Sequence, residues 1–169
     1  RENSETIDYL NAENTYTDKA LAPLSPLREK LYEEMLSRIK ETDLSVPVKK
    51  GDYFYYTRTE KGKQYAFYCR KKGTLEADEE LLLDSNLLAE GKKYFSLGVF
   101  SVSADHQTLA YAIDDTGDEI YTIFFKDLKE DKLLPLKIED VGTGFCWAED
   151  NETFFYTTLD SAKRPHKLI

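Results

Sequence analysis

Three short apolar runs between Leu97 and Leu128 are separated by two polar turns, at 104–107 and 114–118. Val, Ile, Thr, Tyr and Phe dominate the runs, and such residues suit a pleated, half-buried surface. Gly and Asp occur in the turns, because they tolerate the backbone angles that a tight reversal requires. The pattern predicts a meander of antiparallel strands over this stretch.

The meander repeats at an interval of 45 positions, so that Asp105 falls on Asp150. The other aligned pairs are Thr108 with Thr153, Tyr111 with Tyr156, Asp115 with Asp160, Val102 with Trp147 and Leu109 with Phe154. A shorter copy at 54–57 is similar to 154–157. A period of roughly 40 to 50 residues with about four strands in each unit is typical of β-propeller blades. We therefore predict a mainly β fold containing part of a β-propeller; chance similarity among Tyr-rich strands is the alternative.

Two helices are predicted before any strand. Apolar residues in 4–21 recur at spacings of three and four, which places them on one helix face. They are Tyr9, Ala12, Tyr16 and Ala20. After a break at Pro23, Ser25 is the predicted N-cap of a second helix, with Pro26 at its first position. The apolar stripe of this second helix consists of Leu27, Leu31, Met35 and Ile39.

The two apolar stripes allow two interpretations. The helices form either a hairpin that packs on its own chain or an arm that packs on a separate domain. We favour the arm, because both helices precede the strands and a propeller has little room to cover such a surface. We assign residues 1–46 to this helical arm and residues 47–169 to the propeller.

The segment that follows the helices loses helical periodicity. Pro47 cannot continue a helix and biases Val46 towards an extended conformation. We interpret Val46, Pro47, Val48, Lys49 and Lys50 as the crossing from arm to propeller. A plain linker and an inter-domain hinge both fit this composition, and the sequence alone does not distinguish them.

The propeller part contains about two and a half blades. The first is predicted at 51–90, with strands at 52–59, 64–70 and 80–84. The second consists of the 97–128 meander and a strand at 133–138, which Pro135 marks as an edge strand because proline has no N–H to donate. The third begins at Gly144. So few blades cannot close a ring, and the chain starts at Arg1, so we expect a fragment of a longer protein.

Composition and charge limit the classes of partner that the chain is expected to bind. The net charge is −9 and the pI about 4.8, so a nucleic-acid backbone would be repelled, whereas a basic peptide would be attracted. No stretch approaches the roughly 18 apolar residues that span a bilayer, so no membrane association is predicted. Cys69 and Cys146 lie far apart in apolar runs, where free thiols pack as small hydrophobes. With no secretory signal, we expect a cytoplasmic location.

No catalytic, metal or cofactor site is predicted in this chain. His106, in a turn, and His166, near the end, are expected to be solvated, since a metal site needs a cluster of ligands. The carboxylates of one turn lack the order of a calcium loop and are interpreted as a solvated turn. They are Asp114, Asp115, Asp118 and Glu119. The basic runs 49–50 and 70–72 are likewise interpreted as solvated turns, and the sequon at Asn151 as chance.

Several motifs together resemble one family. They are Arg1-Glu2-Asn3, Tyr9-Leu10-Asn11-Ala12-Glu13-Asn14, Glu41-Thr42-Asp43-Leu44-Ser45-Val46-Pro47, Gly62-Lys63-Gln64-Tyr65, Tyr68-Cys69-Arg70, Asp115-Thr116-Gly117-Asp118-Glu119, Tyr121-Thr122, Phe155-Tyr156-Thr157-Thr158-Leu159-Asp160 and Arg164-Pro165. In this order the chain resembles, along essentially its whole length, the N-terminal part of oligopeptidase B (protease II), a branch of the prolyl oligopeptidase family of serine peptidases.

The resemblance implies a seven-bladed propeller that covers an α/β-hydrolase domain with a Ser-Asp-His triad. It also implies cleavage of short peptides after Lys or Arg, with the propeller and a hinge restricting entry, and an arm that packs on the hydrolase domain. None of the triad can be placed on this chain. The chain alone is therefore expected to be inactive, because a serine nucleophile needs its base and oxyanion hole within hydrogen-bond reach.

Two further expectations concern partners. The alternative to a peptidase is a non-catalytic β-propeller module that binds a protein or peptide, which would show no nucleophile motif further along the gene. In isolation, the open strand edges of an incomplete ring would pair with another copy, so self-association is expected.

Overall fold

The computed structural model describes residues 3–169, and the chain forms two compact units, Arg1–Glu41 and Thr42–Ile169. The helices are α1 (Ser4–Leu21), α2 (Ser25–Ser37) and α3 (Ser85–Ala89), with a 3₁₀ turn at Ala22–Leu24. The strands are β1 (Asp43–Leu44), β2 (Val48–Lys50), β3 (Tyr53–Thr59), β4 (Phe67–Lys72), β5 (Glu80–Asp84), β6 (Ser96–Val102), β7 (Thr108–Asp114), β8 (Tyr121–Asp127), β9 (Lys132–Trp147), β10 (Phe154–Leu159) and β11 (Pro165–Leu168).

The helical unit is a nearly continuous helix rather than a hairpin. Asn3 caps α1 by accepting a hydrogen bond from the Thr6 N–H at 3.1 Å. Leu21 and Ser25 both keep right-handed helical angles across the 3₁₀ turn, so the chain does not reverse at Pro23. The predicted N-cap role of Ser25 is wrong, because the helical backbone begins before it and no side chain caps α2.

The apolar side of this unit is uncovered. Within the described part of the helical unit, neither α1 nor α2 has a buried residue. The exposed apolar side chains include Ile7, Tyr9, Leu10, Tyr16, Leu27, Leu31, Tyr32 and Met35. Ile39 was predicted on the stripe but lies beyond the end of α2 at Ser37. The hairpin interpretation is therefore wrong, since the two helices do not bury each other.

The first sheet is a four-stranded blade, which we call blade 1 (43–84). Its first strand is the segment 43–50, which runs antiparallel along β3 as β1 and β2 and is interrupted at Pro47. β3, β4 and β5 follow as an antiparallel meander. The blade therefore begins before residue 51. The compact unit correspondingly begins at Thr42, rather than after residue 46, because β1 pairs with the end of β3.

The second sheet contains one blade and part of another. β6 to β11 pair in sequence order, and β9 serves two partners. From Lys132 to Ile138 it pairs with β8, and from Phe145 to Trp147 it pairs with β10. Val141, between these stretches, pairs with both strands. We call 96–138 blade 2 and 141–168 the partial blade 3. Pro135 lies beside a register shift in the half of β9 that is paired on one side, as its missing N–H requires.

Blade 2 is buried on both faces, because successive side chains of β7 point to opposite faces of the sheet and each set is packed. Leu109 and Tyr111 pack towards blade 1 in a cluster that also contains Leu82 and Leu83. Ala110 and Ala112 point the other way. There they join the cluster beneath blade 3, formed by Val99, Ile123, Phe125, Val141, Phe145, Trp147 and Phe154. The blades therefore stack face to face, as the repeat predicted.

Gly98 permits a close approach within blade 2. A Cβ at this position would lie 2.4 Å from the ring of Tyr121, so no side chain fits there. The strand also shifts register between Leu97 and Val99. As a result Leu97 and Phe100 both face blade 1, whereas Val99 faces blade 3.

Aspartates close equivalent turns in the two repeats. Asp105 and Asp150 each accept a backbone N–H two residues further along, at 3.1 Å in both turns. At the next turn, Asp160 accepts in this way from Ala162, and Asp114 from Thr116. The predicted pairing of Asp115 with Asp160 is therefore one residue out of register.

Asp114 is a buried anion rather than part of a solvated turn. The residue is 1% exposed, and its carboxylate accepts hydrogen bonds from the backbone N–H groups of Thr116, Gly117 and Glu119 and from the Thr116 hydroxyl, all at 2.8–2.9 Å. Burial alone would raise the pKa of this carboxyl, but the hydrogen bonds outweigh it and lower the pKa.

We predict that Asp114→Asn lowers the free energy of unfolding by about 2 kcal/mol at neutral pH. The amide nitrogen cannot accept the bonds that one carboxylate oxygen accepts. Because the folded pKa is depressed, the wild-type advantage is present above the ordinary aspartate pKa and lost as pH falls below about 4. Denaturant titrations from pH 7 to pH 3 measure this.

The matched control is Asp115→Asn, since the Asp115 carboxylate forms an ion pair with Lys92 at the surface. We expect this variant to change stability by less than about 0.5 kcal/mol. A pH-independent difference between wild type and Asp114→Asn would contradict the assignment.

Candidate functional site

The first turn of blade 2 reaches into blade 1 through a single residue. His106, in the turn between β6 and β7, has a left-handed backbone (φ 63°), which directs its side chain away from its own sheet. Ser103 and Asp105 hold the turn, since the Ser103 hydroxyl donates to the Asp105 carboxylate at 2.6 Å. The shape of the turn is therefore held by its own hydrogen bonds and does not depend on the contact with blade 1.

The His106 ring is bound by three parts of blade 1. Nδ1 lies 2.8 Å from the Tyr55 hydroxyl, and the ring stacks on Tyr55 and contacts Tyr53, with centroids 5.9 and 5.0 Å away. On the opposite side, Nε2 faces Gly51, where a Cβ would lie only 2.6 Å away. Gly51 also has a positive φ of 55°, so both the space and the backbone favour glycine.

Arg70 completes the junction from inside blade 1. Its side chain donates to the His106 carbonyl at 2.7 Å and to Glu80 at 2.7 Å, and its guanidinium lies 4.1 Å from the centre of the Tyr53 ring. Burial would lower the pKa of Arg70, but its bonds to Tyr55 and Glu80 outweigh that and raise the pKa. A guanidinium only donates, so Tyr55 accepts from Arg70 at 3.5 Å, and its own hydroxyl proton remains available for a bond to His106.

A cleft of about 730 Å³ lies beside this junction. One wall is the first strand of blade 1, including Val46, Val48 and Lys50. The other is the first strand of blade 2, from Phe100 to Ala104. Tyr55 and Tyr68 form much of the floor, so the cleft is mainly apolar with polar groups at its rim. Its shape and lining suit an extended or apolar segment.

The same turn position connects blade 2 to blade 3. Asn151 is 45 residues after His106 and has the same φ of 63°. Its side-chain oxygen accepts the Asp105 backbone N–H at 2.8 Å. Trp147 adds a bond of 3.1 Å from its indole N–H to the Ser101 carbonyl. In both repeats, the left-handed residue of the first turn thus binds the preceding blade.

A second polar network lies on the other face of blade 1. Glu79 accepts from the Tyr56 hydroxyl at 2.6 Å and from Arg58 at 2.9 Å. Burial would raise the pKa of Glu79, but these bonds lower it. Beneath them, burial raises the pKa of the Cys69 thiol to about 12, so this cysteine stays protonated and unreactive.

Several sequence-based assignments require correction. His106 is not a solvated turn residue but the centre of the blade junction, and Arg70 is 4% exposed rather than part of a solvated basic turn. Cys146 is an exposed free thiol on β9, not a buried one. The sequence repeat could have indicated the role of His106. It aligns His106 with Asn151, and each of them directly follows an aligned aspartate, Asp105 or Asp150.

Three of the five predicted hinge residues, Val46, Val48 and Lys50, line the cleft. Val48, Lys49 and Lys50 form β2, paired with β3, whereas Val46 is 84% exposed between the two short strands. His166 lies exposed on β11. Among residues 3–169, no group of three or more His, Cys, Asp and Glu side chains is arranged to hold a metal. In that same range, no helix has the length and apolar content needed to cross a bilayer.

Comparison with known proteins agrees with this architecture. The profile of the prolyl oligopeptidase N-terminal β-propeller domain matches residues 1–168. The chain is 41% identical to dipeptidyl aminopeptidase BI of Pseudoxanthomonas mexicana, covering 95% of this chain and 24% of that protein. It is 38% identical to protease 2 of Moraxella lacunata, covering 99% and 25%.

Solved structures show the same relation. Oligopeptidase B from Leishmania major superposes with a TM-score of 0.89 at 33% identity, covering 99% of this chain and 24% of that one. Oligopeptidase B from Trypanosoma brucei, in its closed form with covalently bound antipain, gives a TM-score of 0.88 at 34% identity, covering 99% and 24%.

The fold and its stacked meanders therefore define part of a peptidase propeller. The chain belongs to the prolyl oligopeptidase family, as part of its N-terminal β-propeller domain, and is similar to oligopeptidase B. It spans about a quarter of the length of the relatives and structures that it matches.

We predict that Gly51→Ala and His106→Gly are energetically coupled. In the wild-type background the new methyl group meets the His106 ring as well as an unfavourable φ, whereas without the ring only the φ cost remains. The coupling in a double-mutant cycle should be at least about 1 kcal/mol, measured by chemical unfolding.

Gly62→Ala is the control for this cycle. Gly62 also has a positive φ, of 81°, but a Cβ there would meet no atom within 4 Å. It should cost about 1 kcal/mol irrespective of His106. Additive effects of Gly51→Ala and His106→Gly would refute the contact.

Proposed function

We propose that this chain is the N-terminal arm and propeller portion of an oligopeptidase B-like serine endopeptidase that hydrolyses short peptides after Lys or Arg. We propose that this portion restricts which peptides reach the active site. The similarity to protease 2 and oligopeptidase B along nearly the whole chain carries the proposal. The catalytic Ser-Asp-His triad would lie on a hydrolase domain outside these residues.

The helical unit supports a contact with that domain. Its apolar side chains are exposed along both helices, for example Tyr16 at 70% and Met35 at 60%. In proteins, most helical stability comes from the packing of an apolar face rather than from helix propensity. The hydrolase domain is the partner that we propose for this face. Val46–Lys50, which lies within the first strand of blade 1, is the segment that we propose as the hinge.

The charge of the chain supports a basic substrate. The net charge of −9 attracts Lys- and Arg-containing peptides and raises their local concentration near the entrance. Charge of this kind accelerates encounter without selecting the cleaved bond. Selection after Lys or Arg would come from acidic residues of the hydrolase domain.

The location that we propose is the cytoplasm. Cys69 and Cys146 are both free thiols, as is usual in a reducing compartment.

We predict that the full-length protein cleaves an N-terminally blocked fluorogenic dipeptide ending in Arg, and that a serine-directed inhibitor stops the reaction. A blocked substrate ending in Pro tests the prolyl specificity of other family members. A substrate with a free N-terminus tests dipeptide release, the activity in the name of the Pseudoxanthomonas relative. Steady-state kcat/KM for the three substrates is the measurement.

Faster cleavage of the Pro substrate, or activity on the free N-terminus only, would refute the proposed specificity. A coding sequence that closes the propeller without a nucleophile motif would instead favour a non-catalytic binding module. A purified chain of residues 1–169 should show no hydrolysis, because it holds no triad.

We predict that residues 1–169 self-associate when purified alone. All four residues of β11 are exposed, so its edge is open to pairing with another copy. Multi-angle light scattering at increasing concentration should show species larger than a monomer. Leu168→Lys, on this edge, should reduce association, whereas Leu75→Lys, in the turn before β5, should not. A monomer at all concentrations would contradict the prediction.

A further inference from the structure

We propose that His106 is a positioning residue that holds the hinge segment Val46–Lys50 to the second blade and thereby limits the size of peptide that the enzyme admits. This inference rests on the proposed function, since it assigns the size limit of that same peptidase to one contact. His106 touches no reacting group and acts only through the position of its neighbours.

The hinge segment ends at the His106 ring. β2 stops at Lys50, and Gly51 in the following turn lies against Nε2 so closely that no side chain fits between them. The other side of the ring is held by the Tyr55 hydroxyl at 2.8 Å. Because Gly51 directly follows this segment, a movement that carries Gly51 away from blade 2 must change its contact with the ring.

The contacts of Gly51, Tyr53 and Tyr55 with the His106 ring, which we call the clamp, lie at the edge of the junction. Deep in the junction, Leu82, Leu83 and Leu109 are buried together and hold the blades along their length. At the edge formed by the first strands, the cleft of about 730 Å³ separates Val46 and Val48 from blade 2. There the blades are joined by the polar contacts of His106 and by the stacked rings of Tyr68 and Phe100, whose centroids are 4.5 Å apart. Loss of the His106 contacts would let the cleft widen more readily.

Arg70 makes the clamp rigid. It binds the His106 carbonyl at 2.7 Å, while Glu80 and the Tyr53 ring fix the guanidinium itself. Backbone and ring of His106 are thus held by different residues of blade 1. Loss of the ring would release the hinge segment but leave the turn attached through Arg70, so the fold should persist.

The repeat supplies an internal comparison. Asn151 occupies the same left-handed turn position and binds Asp105 of blade 2, far along the chain from the hinge segment. His106→Gly and Asn151→Gly therefore each remove one inter-blade side chain, and glycine accepts both backbones without strain. Only His106→Gly frees the hinge.

The test compares these two variants in the full-length enzyme. kcat/KM is measured for a short blocked Arg substrate and for unstructured peptides of increasing length with one internal Arg. For His106→Gly we expect the ratio of long-peptide to short-peptide kcat/KM to rise about fivefold, the effect of losing one net hydrogen bond on an opening equilibrium. For Asn151→Gly we expect the ratio to stay within about twofold of wild type, because its hydrogen bond does not hold the hinge segment.

Two results would overturn the inference. One is an unchanged ratio in His106→Gly, including equal losses on all substrates, which is what a merely structural role produces. The other is an equal rise in both variants, which would show that any loosened blade junction admits longer peptides.

Hydrogen exchange separates this inference from the proposed function. If the wild-type enzyme cleaves no Arg or Lys peptide, the proposed function fails and the clamp is judged by exchange alone. His106→Gly should then speed amide exchange in both 48–55 and 103–108. Faster exchange confined to 103–108 would overturn the clamp.

Discussion

Burial of blade 2 on both faces is the constraint on which the rest of the propeller unit depends. Along β7, Leu109 and Tyr111 face blade 1, and Ala110 and Ala112 face blade 3. A slip of one residue would exchange the two sets and place large side chains where only alanines fit. The register shift at Gly98 keeps β6 in phase with this arrangement. Stacking order and strand register are therefore fixed together.

The sequence was sufficient for the features that local patterns encode. Alternation and turn residues predicted β6, β7 and β8 with their turns, the spacing of Tyr9 and Tyr16 predicted α1, and the repeat predicted the blades. It was not sufficient where a partner comes from another blade. Arg70 was interpreted as solvated because its neighbours are lysines, yet the facing turn of blade 2 buries it. The first strand of blade 1 was missed because Pro47 divides it into two short pairings.

The candidate site shows why a repeat can conserve geometry and still vary chemistry. His106 and Asn151 have the same φ of 63°, and an aspartate precedes each of them. The turn determines where the side chain points, and the facing blade determines what it binds. Imidazole meets tyrosines and a glycine in one junction, whereas an amide meets a backbone N–H in the other. Sequence comparison of the repeats identifies the position, but only the packed blades identify its partner.

Nearest-neighbour stacking also explains how a partial ring holds together. Each junction is closed by side chains of two adjacent blades, so the order of blades 1, 2 and 3 does not require a complete circle. The helical unit differs, because no residue of α1 or α2 is buried in the part of the chain that the structure describes. Its helical state cannot draw stability from a core of its own. The propeller unit is thus stabilised from within, whereas the described helices of the arm have no buried core to stabilise them.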